Sequence, residues 1–548
     1  MKKIVLSLLA CFCTVYVGLA CTNLIVGKAA SADGSVFVTY NADSYGMFGY
    51  LAHYPAATYP EGAMLDVYEW DSGRFLGQIP QVRRTYNVVG NINENQVTIG
   101  ETTFGGREEL VDTAGHMDYG SMIYIALQRS RTAREAIEVM VGLANANGYC
   151  SEGESFTVAD PNEAWIMEVV GKGNSEKGIV WIAVRVPDDC IAAHANQSRI
   201  HKVDLKDKNN VMYAKDMISF ARKHGYFSGK DEDFSFADAY CPLSFDGLRY
   251  CDARVWSYFY KYGAQDMMPY LKSAQGDPTA TPIPLFVKPK HKMTVADMQA
   301  AMRDHYEGTP FELSHDIGGG IYDMPYRLSP LDFKADGKTY FNERPISTFQ
   351  TGFSFVSQMR SWLPNNVGGV LWFGCDDANM IVYTPMYCCT TTVPECYARE
   401  TADAVTFSWK SSFWVFNWVA NMVYPRYSLQ IEDVRKVQSR LEKQELENQA
   451  SVDKEALEKM KSGTKYAVDY LTAYSGRCAQ EALESWKQLG EFLIVKYNDF
   501  VVKPEENGVF KRTGSGLGAG VTRPGYPETA KKEYIKATGD KYVKPDNK

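Results

Sequence analysis

Four apolar segments between residues 155 and 195 place the strongest constraint on the fold of this chain. They read SFTVAD, AWIMEVV, GIVWIAVRV and CIAAHA, and short turns rich in Pro, Gly, Asn or Asp separate them. Several of the segments are apolar at consecutive positions, so both faces of those strands must be covered. Strands buried on both faces predict two sheets packed face to face with helices outside them. The expected fold is therefore α+β, with the layer order αββα.

Other segments extend this pattern over most of the chain. Residues 22–44, TNLIVGKAASADGSVFVTYNADS, predict a hairpin that turns at Asp33–Gly34. The segment RTAREAIEVMVGLA predicts a helix that begins at Thr132, with Glu135 completing a capping box. A second apolar region, GGVLWFGCDDANMIVYTPMY, extends the predicted sheets to about residue 410.

The composition changes toward the C-terminus, and this predicts the domain organisation. Residues 21–425 are expected to form the sheet-containing domain. Residues 426–502 include a stretch dense in Glu, Lys, Gln and Arg, which is typical of a long solvent-facing helix or a helical pair. Residues 503–548 are polar and Lys-rich, and they are expected to form a loosely ordered tail.

The N-terminus has the pattern of a secretory signal. Lys2 and Lys3 precede an apolar run from Ile4 to Val17, and Gly18-Leu19-Ala20 supplies small residues where a signal peptidase reads. The run is shorter than the roughly 20 residues that a membrane-spanning helix needs, and no later segment replaces it. Residues 1–20 are therefore a predicted cleaved signal, and the mature protein is expected to be exported to the periplasm or the medium, without a membrane span.

Charge and cysteine content narrow the possible partners. The formal net charge is −8 with both signs interspersed, which argues against nucleic acid and favours a small or peptidic substrate. Ten cysteines follow residue 20, and in an oxidising compartment some of them are expected to pair. Cys388, Cys389 and Cys396 are close enough in sequence for local bridges. No Cys/His spacing typical of zinc is present, and we predict no metal and no cofactor.

The common hydrolase motifs are absent, which directs attention to the predicted mature N-terminus. The chain contains no H-E-x-x-H, no G-x-S-x-G and no Walker loop. If cleavage follows Ala20, Cys21 carries both a thiol, with an ordinary pKa of about 8.5, and an α-amine, with one of about 7.7–8.0. A nucleophile and a base then belong to one residue, so no histidine is required for catalysis.

Such a site needs groups that hold the amine, the oxyanion and the charge of the substrate. Asp43 ends the second strand of the predicted hairpin and is a candidate to orient the amine. Asn196 follows the segment CIAAHA and is a candidate oxyanion donor, and Arg199 and Arg254 are candidates to bind a substrate carboxylate. Each has a plainer interpretation: Asp43 and Asn196 suit turns, and Arg254 suits a structural ion pair.

Cys21 itself has a rival interpretation as a lipid anchor. An exported chain with a cysteine directly after its signal often becomes a lipoprotein. The third residue before the cysteine is Gly18, where a lipoprotein signal prefers leucine, and this weakens the match. The residues alone leave catalysis and lipidation open.

Four segments resemble a known family. CTNLIVGKAASADGS, INENQVTIGETT, VADPNEAWIMEVVG and VPDDCIAAHANQSRI are similar, in this order, to the dipeptidase family of cysteine-type N-terminal-nucleophile hydrolases, which also includes the secernins. The resemblance runs from Cys21 to about residue 425. It implies the αββα fold and cleavage of dipeptides by a cysteine that processing exposes. Carried over by position, it makes Cys21 the nucleophile, Asp43 its acidic partner and Asn196 the oxyanion asparagine.

One position departs from that pattern. Relatives in the wider acylase group have an arginine about three residues before the acidic partner, whereas Tyr40 stands there in this chain. Arg254 is a candidate to supply a guanidinium from elsewhere. The mode of substrate binding is therefore expected to differ.

Three functions remain open at this point. The first is an exported cysteine dipeptidase in which Cys21 is the nucleophile. The second is an acylase of the same fold that acts on non-peptide amides. The third is a lipid-anchored surface protein without turnover, and the sequence also leaves open whether the protein forms a homo-oligomer.

Overall fold

The computed structural model describes residues 21–327, 333–341 and 344–545. The predicted signal, residues 1–20, lies outside the described residues. The described strands are, in chain order, β1 (Asn23–Val26), β2 (Val36–Asp43), β3 (His53–Tyr54), β4 (Ala57–Thr58), β5 (Met64–Tyr68), β6 (Phe75–Pro80), β7 (Arg84–Thr85), β8 (Val88–Val89), β9 (Ile92–Asn93), β10 (Thr98–Gly105), β11 (Gly153–Ala159), β12 (Ala164–Gly171), β13 (Ile179–Arg185), β14 (Ile191–His194), β15 (Val211–Tyr213), β16 (Phe286–Val287), β17 (Phe333–Ala335), β18 (Lys338–Tyr340), β19 (Thr351–Met359), β20 (Gly369–Cys375), β21 (Thr384–Tyr387), β22 (Glu505–Glu506) and β23 (Val509–Phe510).

The α-helices of the described residues are short in the first two thirds of the chain and long near its end. They are α1 (Tyr119–Arg129), α2 (Ala133–Asn147), α3 (Met217–Lys223), α4 (Phe236–Tyr240), α5 (Ala253–Tyr262), α6 (Leu271–Ala274), α7 (Val295–Met302), α8 (Asn365–Gly368), α9 (Ser412–Val423), α10 (Tyr427–Ser462), α11 (Thr464–Tyr497) and α12 (Glu528–Thr538). Thr132 caps α2 as predicted, but the Glu135 carboxylate bonds the backbone N–H of Arg131 rather than that of Thr132.

Two antiparallel sheets form the centre of the molecule. The first, called sheet A here, has the order β16-β14-β1-β2-β19-β20-β21, and sheet B has the order β15-β13-β12-β11-β10-β9-β8-β3. The two sheets face each other, with β2 and β1 of sheet A against β10 and β11 of sheet B. Helices α1 and α2 cover sheet B, and α9, α10 and α11 cover sheet A. The predicted α+β class with antiparallel sheets is confirmed.

The central strands are buried along their whole length. Every residue of β2, β12, β19 and β20 is buried, as the consecutive apolar positions predict. Covering both faces of these strands supplies the core, with each fully buried large aliphatic or aromatic side chain contributing about 1.5–3 kcal/mol. Among the fully buried side chains of this core are Trp165, Trp372 and Trp486.

The charged C-terminal region forms a helical pair, one of the two predicted arrangements. The pair is not solvent-facing throughout, because one side of it packs on sheet A. Asp453 of α10 forms an ion pair with Arg360, and Glu442 accepts hydrogen bonds from Arg303 at 3.0 Å and from the backbone N–H of Tyr383 at 3.0 Å. These polar contacts satisfy carboxylates that the packing buries.

Residues 503–545 lie mostly at the surface. They contain the hairpin of β22 and β23 and helix α12, none of whose residues is buried. Loose order of this segment stays a prediction. Among the residues that the structure describes, no helix is both long enough and apolar enough to cross a bilayer.

The expected disulfides are not formed. All ten cysteines from Cys21 onward are free thiols, so the predicted local bridges among Cys388, Cys389 and Cys396 are wrong. The three side chains are individually buried in the core, where Cys388 donates a hydrogen bond to the backbone oxygen of Asn365 at 3.2 Å. Buried cysteines of this kind act as small apolar residues.

His194 ties the two sheets together. Its Nδ1 lies 2.7 Å from the hydroxyl of Thr102, and its Nε2 lies 2.7 Å from the hydroxyl of Thr157. The ring belongs to β14 of sheet A, whereas both threonines belong to sheet B. Burial, assisted by the charge of Arg199, lowers the pKa of His194 to about 3, so the ring stays neutral in the folded protein.

The neutral state of His194 predicts a pH dependence of stability. In the unfolded chain the ring takes up a proton below about pH 6.5, whereas in the folded protein it does not until about pH 3. Between pH 7 and pH 5 this group alone should remove about 2 kcal/mol from the free energy of unfolding. Urea unfolding at the two pH values should therefore show that the free energy of unfolding decreases less from pH 7 to pH 5 in His194→Gln than in the wild type. His291→Gln, at an exposed position, is the control and should behave like the wild type. An equal decrease in the free energy of unfolding in His194→Gln and the wild type would contradict the assignment.

Candidate functional site

The predicted site residues meet at one end of sheet A. Strand β1 pairs antiparallel with both β2 and β14, so its first residues lie beside the last residues of those strands. Thr22 bridges Asn41, and Asn23 is opposite His194. Cys21 is thereby brought close to the end of β2, where Asp43 lies, and to the turn after β14, where Asn196 lies.

The thiol of Cys21 lies between the two sheets. Cys21 is 3% exposed, and its Sγ is 3.3 Å from a carboxylate oxygen of Glu101 and 3.4 Å from the hydroxyl of Tyr40. The Tyr40 hydroxyl also donates a short hydrogen bond to Glu101. Glu101 belongs to β10 of sheet B, so the sulfur is in contact with side chains of both sheets.

The surroundings of the thiol favour its protonated form. Burial raises the pKa of Cys21 well above its ordinary value, and the negative charges of Glu101 and Asp43 add to this effect. Hydrogen bonds from Tyr40 and from the backbone N–H of Asp43 oppose it. Because Ala20 precedes Cys21 in the full chain, the nitrogen of Cys21 is there a peptide nitrogen. A base and a positive charge are both needed before this sulfur becomes a good nucleophile.

Asp43 is fully buried and held on both oxygens. One carboxylate oxygen forms an ion pair with Arg344 at 2.5 Å, and the other accepts a hydrogen bond from the hydroxyl of Thr351 at 2.5 Å. Burial raises the pKa of Asp43 to about 6, because its effect outweighs the opposing charge of Arg344. Pairing of β19 with β2 places Thr351 opposite Asp43.

Arg254 fixes the start of β1 to the end of β14. Its guanidinium donates to the backbone oxygen of Cys21 at 2.7 Å, to the Thr22 hydroxyl at 2.8 Å, to the backbone oxygen of Ala195 at 3.0 Å and to the Asn196 side chain at 2.9 Å. Its Nε donates to the Tyr250 backbone oxygen at 3.0 Å. All five donors of Arg254 therefore have partners within the protein. This arrangement favours a positioning role over the predicted binding of a substrate carboxylate.

Asn196 adopts a left-handed backbone conformation, with φ of 65°. Its amide nitrogen donates to the backbone oxygen of Thr103 at 2.6 Å, and its amide oxygen accepts from Arg254. These contacts orient the carboxamide at the edge of the site. A positive φ at a non-glycine residue costs of order 1 kcal/mol and is typical of functional positions.

Arg199, the remaining predicted residue, lies in a different environment. Its guanidinium forms an ion pair with Asp252 at 3.1 Å and donates to the backbone oxygens of Ile283 and Pro284 at 3.2 and 2.7 Å. These contacts join the segment after β14 to the region around α5. These contacts favour a structural role for Arg199, and its predicted binding of a substrate carboxylate stays a prediction.

Three acidic or basic residues of the site were not predicted. Glu101 and Glu154 are both buried, and the register Thr103–Glu154 makes them diagonal neighbours on one face of sheet B. Burial raises the pKa of both carboxyl groups, and the charge of Glu101 adds to this effect on Glu154. A signal for Glu101 was present in VTIGETT, because the glutamate continues the every-second-residue series of the apolar Val97 and Ile99, where a buried apolar residue is expected. Arg344 had no comparable signal, since it precedes β19 in a segment without periodicity.

The comparisons with known proteins agree on one type of protein. A family model described as "Peptidase family C69" matches residues 20–440, from one residue before Cys21 into α10. A "Probable dipeptidase" from Salmonella dublin is 28% identical over 390 residues, which cover 67% of this chain and 81% of that protein. A "Probable dipeptidase" from Latilactobacillus sakei is 25% identical over 428 residues, which cover 74% and 82% of the two chains. A "Dipeptidase" from Bifidobacterium longum is 25% identical over 435 residues, which cover 71% and 74%.

The ion pair between Asp43 and Arg344 predicts a stability effect. Arg344→Met leaves the buried Asp43 carboxylate without its partner, which should cost about 3 kcal/mol in free energy of unfolding at pH 8. The loss should shrink below pH 6, where the Asp43 carboxyl is protonated. Urea unfolding of the purified variant measures both effects.

Arg83→Met, at an exposed position, is the control for that measurement. The control should change the free energy of unfolding by less than about 0.5 kcal/mol. A loss in Arg344→Met that is equally small, or that is the same at pH 5 and pH 8, would contradict the role assigned to the ion pair.

Proposed function

The chain belongs to peptidase family C69, and from that premise we propose that it is an exported dipeptidase whose processed N-terminal Cys21 is the nucleophile. Peptide substrates are supported by the relatives named dipeptidase. The proposed fold is the αββα sandwich of the N-terminal-nucleophile hydrolases, in keeping with the two facing antiparallel sheets. Export and removal of residues 1–20 are part of the proposal, as the N-terminal pattern predicts.

One observation carries the proposal. The sulfur of Cys21 lies at the first position of the predicted mature chain, between the ends of the two sheets, with Tyr40 and Glu101 in contact. The family match also begins at residue 20, next to this cysteine. A structural cysteine of the core has no need of two buried carboxyl groups near its sulfur, because each of them costs free energy to bury.

The proposed mechanism uses both functional groups of Cys21. Cleavage after Ala20 frees the α-amine, and the neutral amine accepts the proton of the thiol. The thiolate attacks the carbonyl carbon of the dipeptide amide and forms a tetrahedral intermediate. When this collapses, the C–N bond breaks and the amine passes its proton to the leaving nitrogen. Water then attacks the thioester, and the first amino acid leaves as the free thiol forms again.

The neighbouring residues have separate roles in this mechanism. The Asn196 carboxamide, oriented by Arg254 and Thr103, donates to the oxyanion. Asp43, held by Arg344 and Thr351, offsets the positive charge of the amine when it carries a proton. Tyr40 and Glu101 fix the position of the sulfur. Tyr40 thus takes the place where relatives in the wider acylase group have an arginine.

Replacing the nucleophile tests the proposed function directly. Cys21→Ala keeps the N-terminal amine but removes the sulfur, and should reduce dipeptide turnover by about a thousand-fold or more. Purified mature protein is assayed with a panel of dipeptides by measuring released amino acids. Cys150→Ala changes a cysteine in the turn before β11 and should keep turnover within about two-fold. Turnover by mature Cys21→Ala at the wild-type rate would refute the mechanism.

A further inference from the structure

A cavity of about 640 Å³ opens beside the end of β2. Its lining begins at Ser44, directly after Asp43, and includes Phe353 of β19. The ring of Phe353 packs edge-on against the ring of Tyr40, with the centroids 5.6 Å apart. Since the Tyr40 hydroxyl contacts the sulfur of Cys21, contacts through Phe353 and Tyr40 link the wall of this cavity to the nucleophile. The cavity volume is within the range of small-molecule sites.

Aromatic side chains form much of the cavity wall. Tyr50 and Trp70 are stacked with their ring centroids 6.4 Å apart, and both line the space together with Phe353. Trp70 belongs to the turn that joins β5 to β6, and its ring also packs on Tyr124 of α1. These walls provide apolar contact for the side chains of a small peptide.

Two charged residues of opposite sign also line the cavity. Asp71, next to Trp70, accepts a hydrogen bond from the hydroxyl of Tyr119 at 3.0 Å. Arg399, from the segment after β21, lies with its guanidinium carbon 5.5 Å from the ring centroid of Tyr50. A third charged residue, Asp403, is engaged by its own turn, where it accepts hydrogen bonds from Val405 and Thr406 at 2.8 and 2.9 Å.

Asp71 lies on the side of the cavity near the nucleophile. Its hydrogen-bond partner Tyr119 is the first residue of α1, and α1 packs against β10, the strand that carries Glu101. A dipeptide has its α-ammonium one carbon from the carbonyl that the sulfur attacks, and its carboxylate beyond the leaving nitrogen. The charged group nearer to Cys21 must therefore be the one that faces the ammonium.

We propose that Asp71 binds the α-ammonium of the dipeptide and that Arg399 binds its carboxylate, so that the two free termini determine which peptides are accepted. This inference rests on the proposed function. It deepens that function by assigning residues to the selection of dipeptides over blocked or longer peptides. A third residue in the peptide moves the carboxylate away from Arg399, and an acetyl group removes the charge that Asp71 binds.

A comparison of one variant on two substrates tests the role of Asp71. The mature wild type and Asp71→Asn are assayed on a good dipeptide and on its N-acetyl derivative. Asp71→Asn should lower kcat/KM for the free dipeptide by about 10- to 100-fold, mainly through KM, because a hydrogen bond to a charged group is lost. The low rate on the N-acetyl derivative should stay unchanged. Equal losses on both substrates, or no loss on either, would overturn the proposal.

Asp66→Asn is the matched control for this comparison. Asp66 belongs to β5 of the same hairpin, is exposed and accepts a hydrogen bond from Gln78 at 2.7 Å. Its variant should hydrolyse both substrates at the wild-type rates. A loss in Asp66→Asn that matches the loss in Asp71→Asn would show that the hairpin is merely disturbed, and it would overturn the assignment.

The role of Arg399 is tested at the other end of the substrate. Arg399→Gln should lower kcat/KM for the dipeptide by about 10-fold or more. Its kcat/KM for the same dipeptide with an amidated C-terminus should equal that of the wild type. Arg83→Gln, at an exposed position of another segment, should change neither rate. An equal loss on the acid and the amide would contradict binding of the carboxylate.

A binding measurement separates failure of this inference from failure of the proposed function. Calorimetric titration of mature Cys21→Ala with the dipeptide needs no turnover. The Kd for the dipeptide should be at least about ten-fold higher for the double variant Cys21→Ala/Asp71→Asn than for Cys21→Ala alone. If the wild type hydrolyses no peptide but this difference in Kd appears, the proposed function is wrong and the assignment of the dipeptide-binding site still holds. If the Kd values are equal, or no dipeptide binds, the site is refuted whether or not peptides are hydrolysed.

Discussion

The pairing of β1 with two neighbours at once is the constraint on which the site depends. A strand of four residues is held by β2 on one side and by β14 on the other, and Arg254 binds the backbone of Cys21 to that of Ala195. A shift of one residue in this register would turn the side chain of Cys21 to the opposite face of the sheet. The sulfur would then lose Tyr40 and Glu101. A short, doubly paired strand therefore gives the first residue of the predicted mature chain a defined position.

The electrostatics of the site link processing to activity in the proposed mechanism. With the peptide bond to Ala20 intact, the sulfur has buried carboxyl groups near it and no positive charge of its own residue. Its pKa is raised, and the thiolate is disfavoured. Cleavage adds an amine at this point, which supplies both a base and, once protonated, a charge opposite to that of Asp43 and Glu101. The unprocessed chain is thus expected to be inactive for a physical reason.

The sequence predicted those features that depend on local pattern. Buried strands, the two antiparallel sheets and the helical pair follow from runs of apolar or charged residues, and the structure confirms them. Cys21, Asp43, Asn196 and Arg254 come together because each lies at or beside the end of a strand or at the start of a helix. Their proposed catalytic roles stay predictions, and Arg254 has its donors occupied within the protein.

Features that depend on distant pairing were not predictable in the same way. Arg344 meets Asp43 because β19 pairs with β2, although the two residues are 301 positions apart. Glu154 joins Glu101 through the register of β10 and β11. The partners of Arg199, Asp252 and the backbone at 283–284, also come from other segments, and its predicted role in substrate binding stays a prediction. The expected local disulfides failed because closeness in sequence does not determine how buried thiols are oriented.

The identity of the mature N-terminus tests the central claim most directly. Intact mass spectrometry of the protein purified from the cells that produce it, with fragmentation of the first residues, determines both the start of the chain and the state of its nitrogen. The account predicts a chain that begins at Cys21 with an unmodified α-amine. A chain that begins elsewhere, or a Cys21 that carries a diacylglyceryl or N-acyl group, would contradict it, because the sulfur and the basic nitrogen would no longer act together.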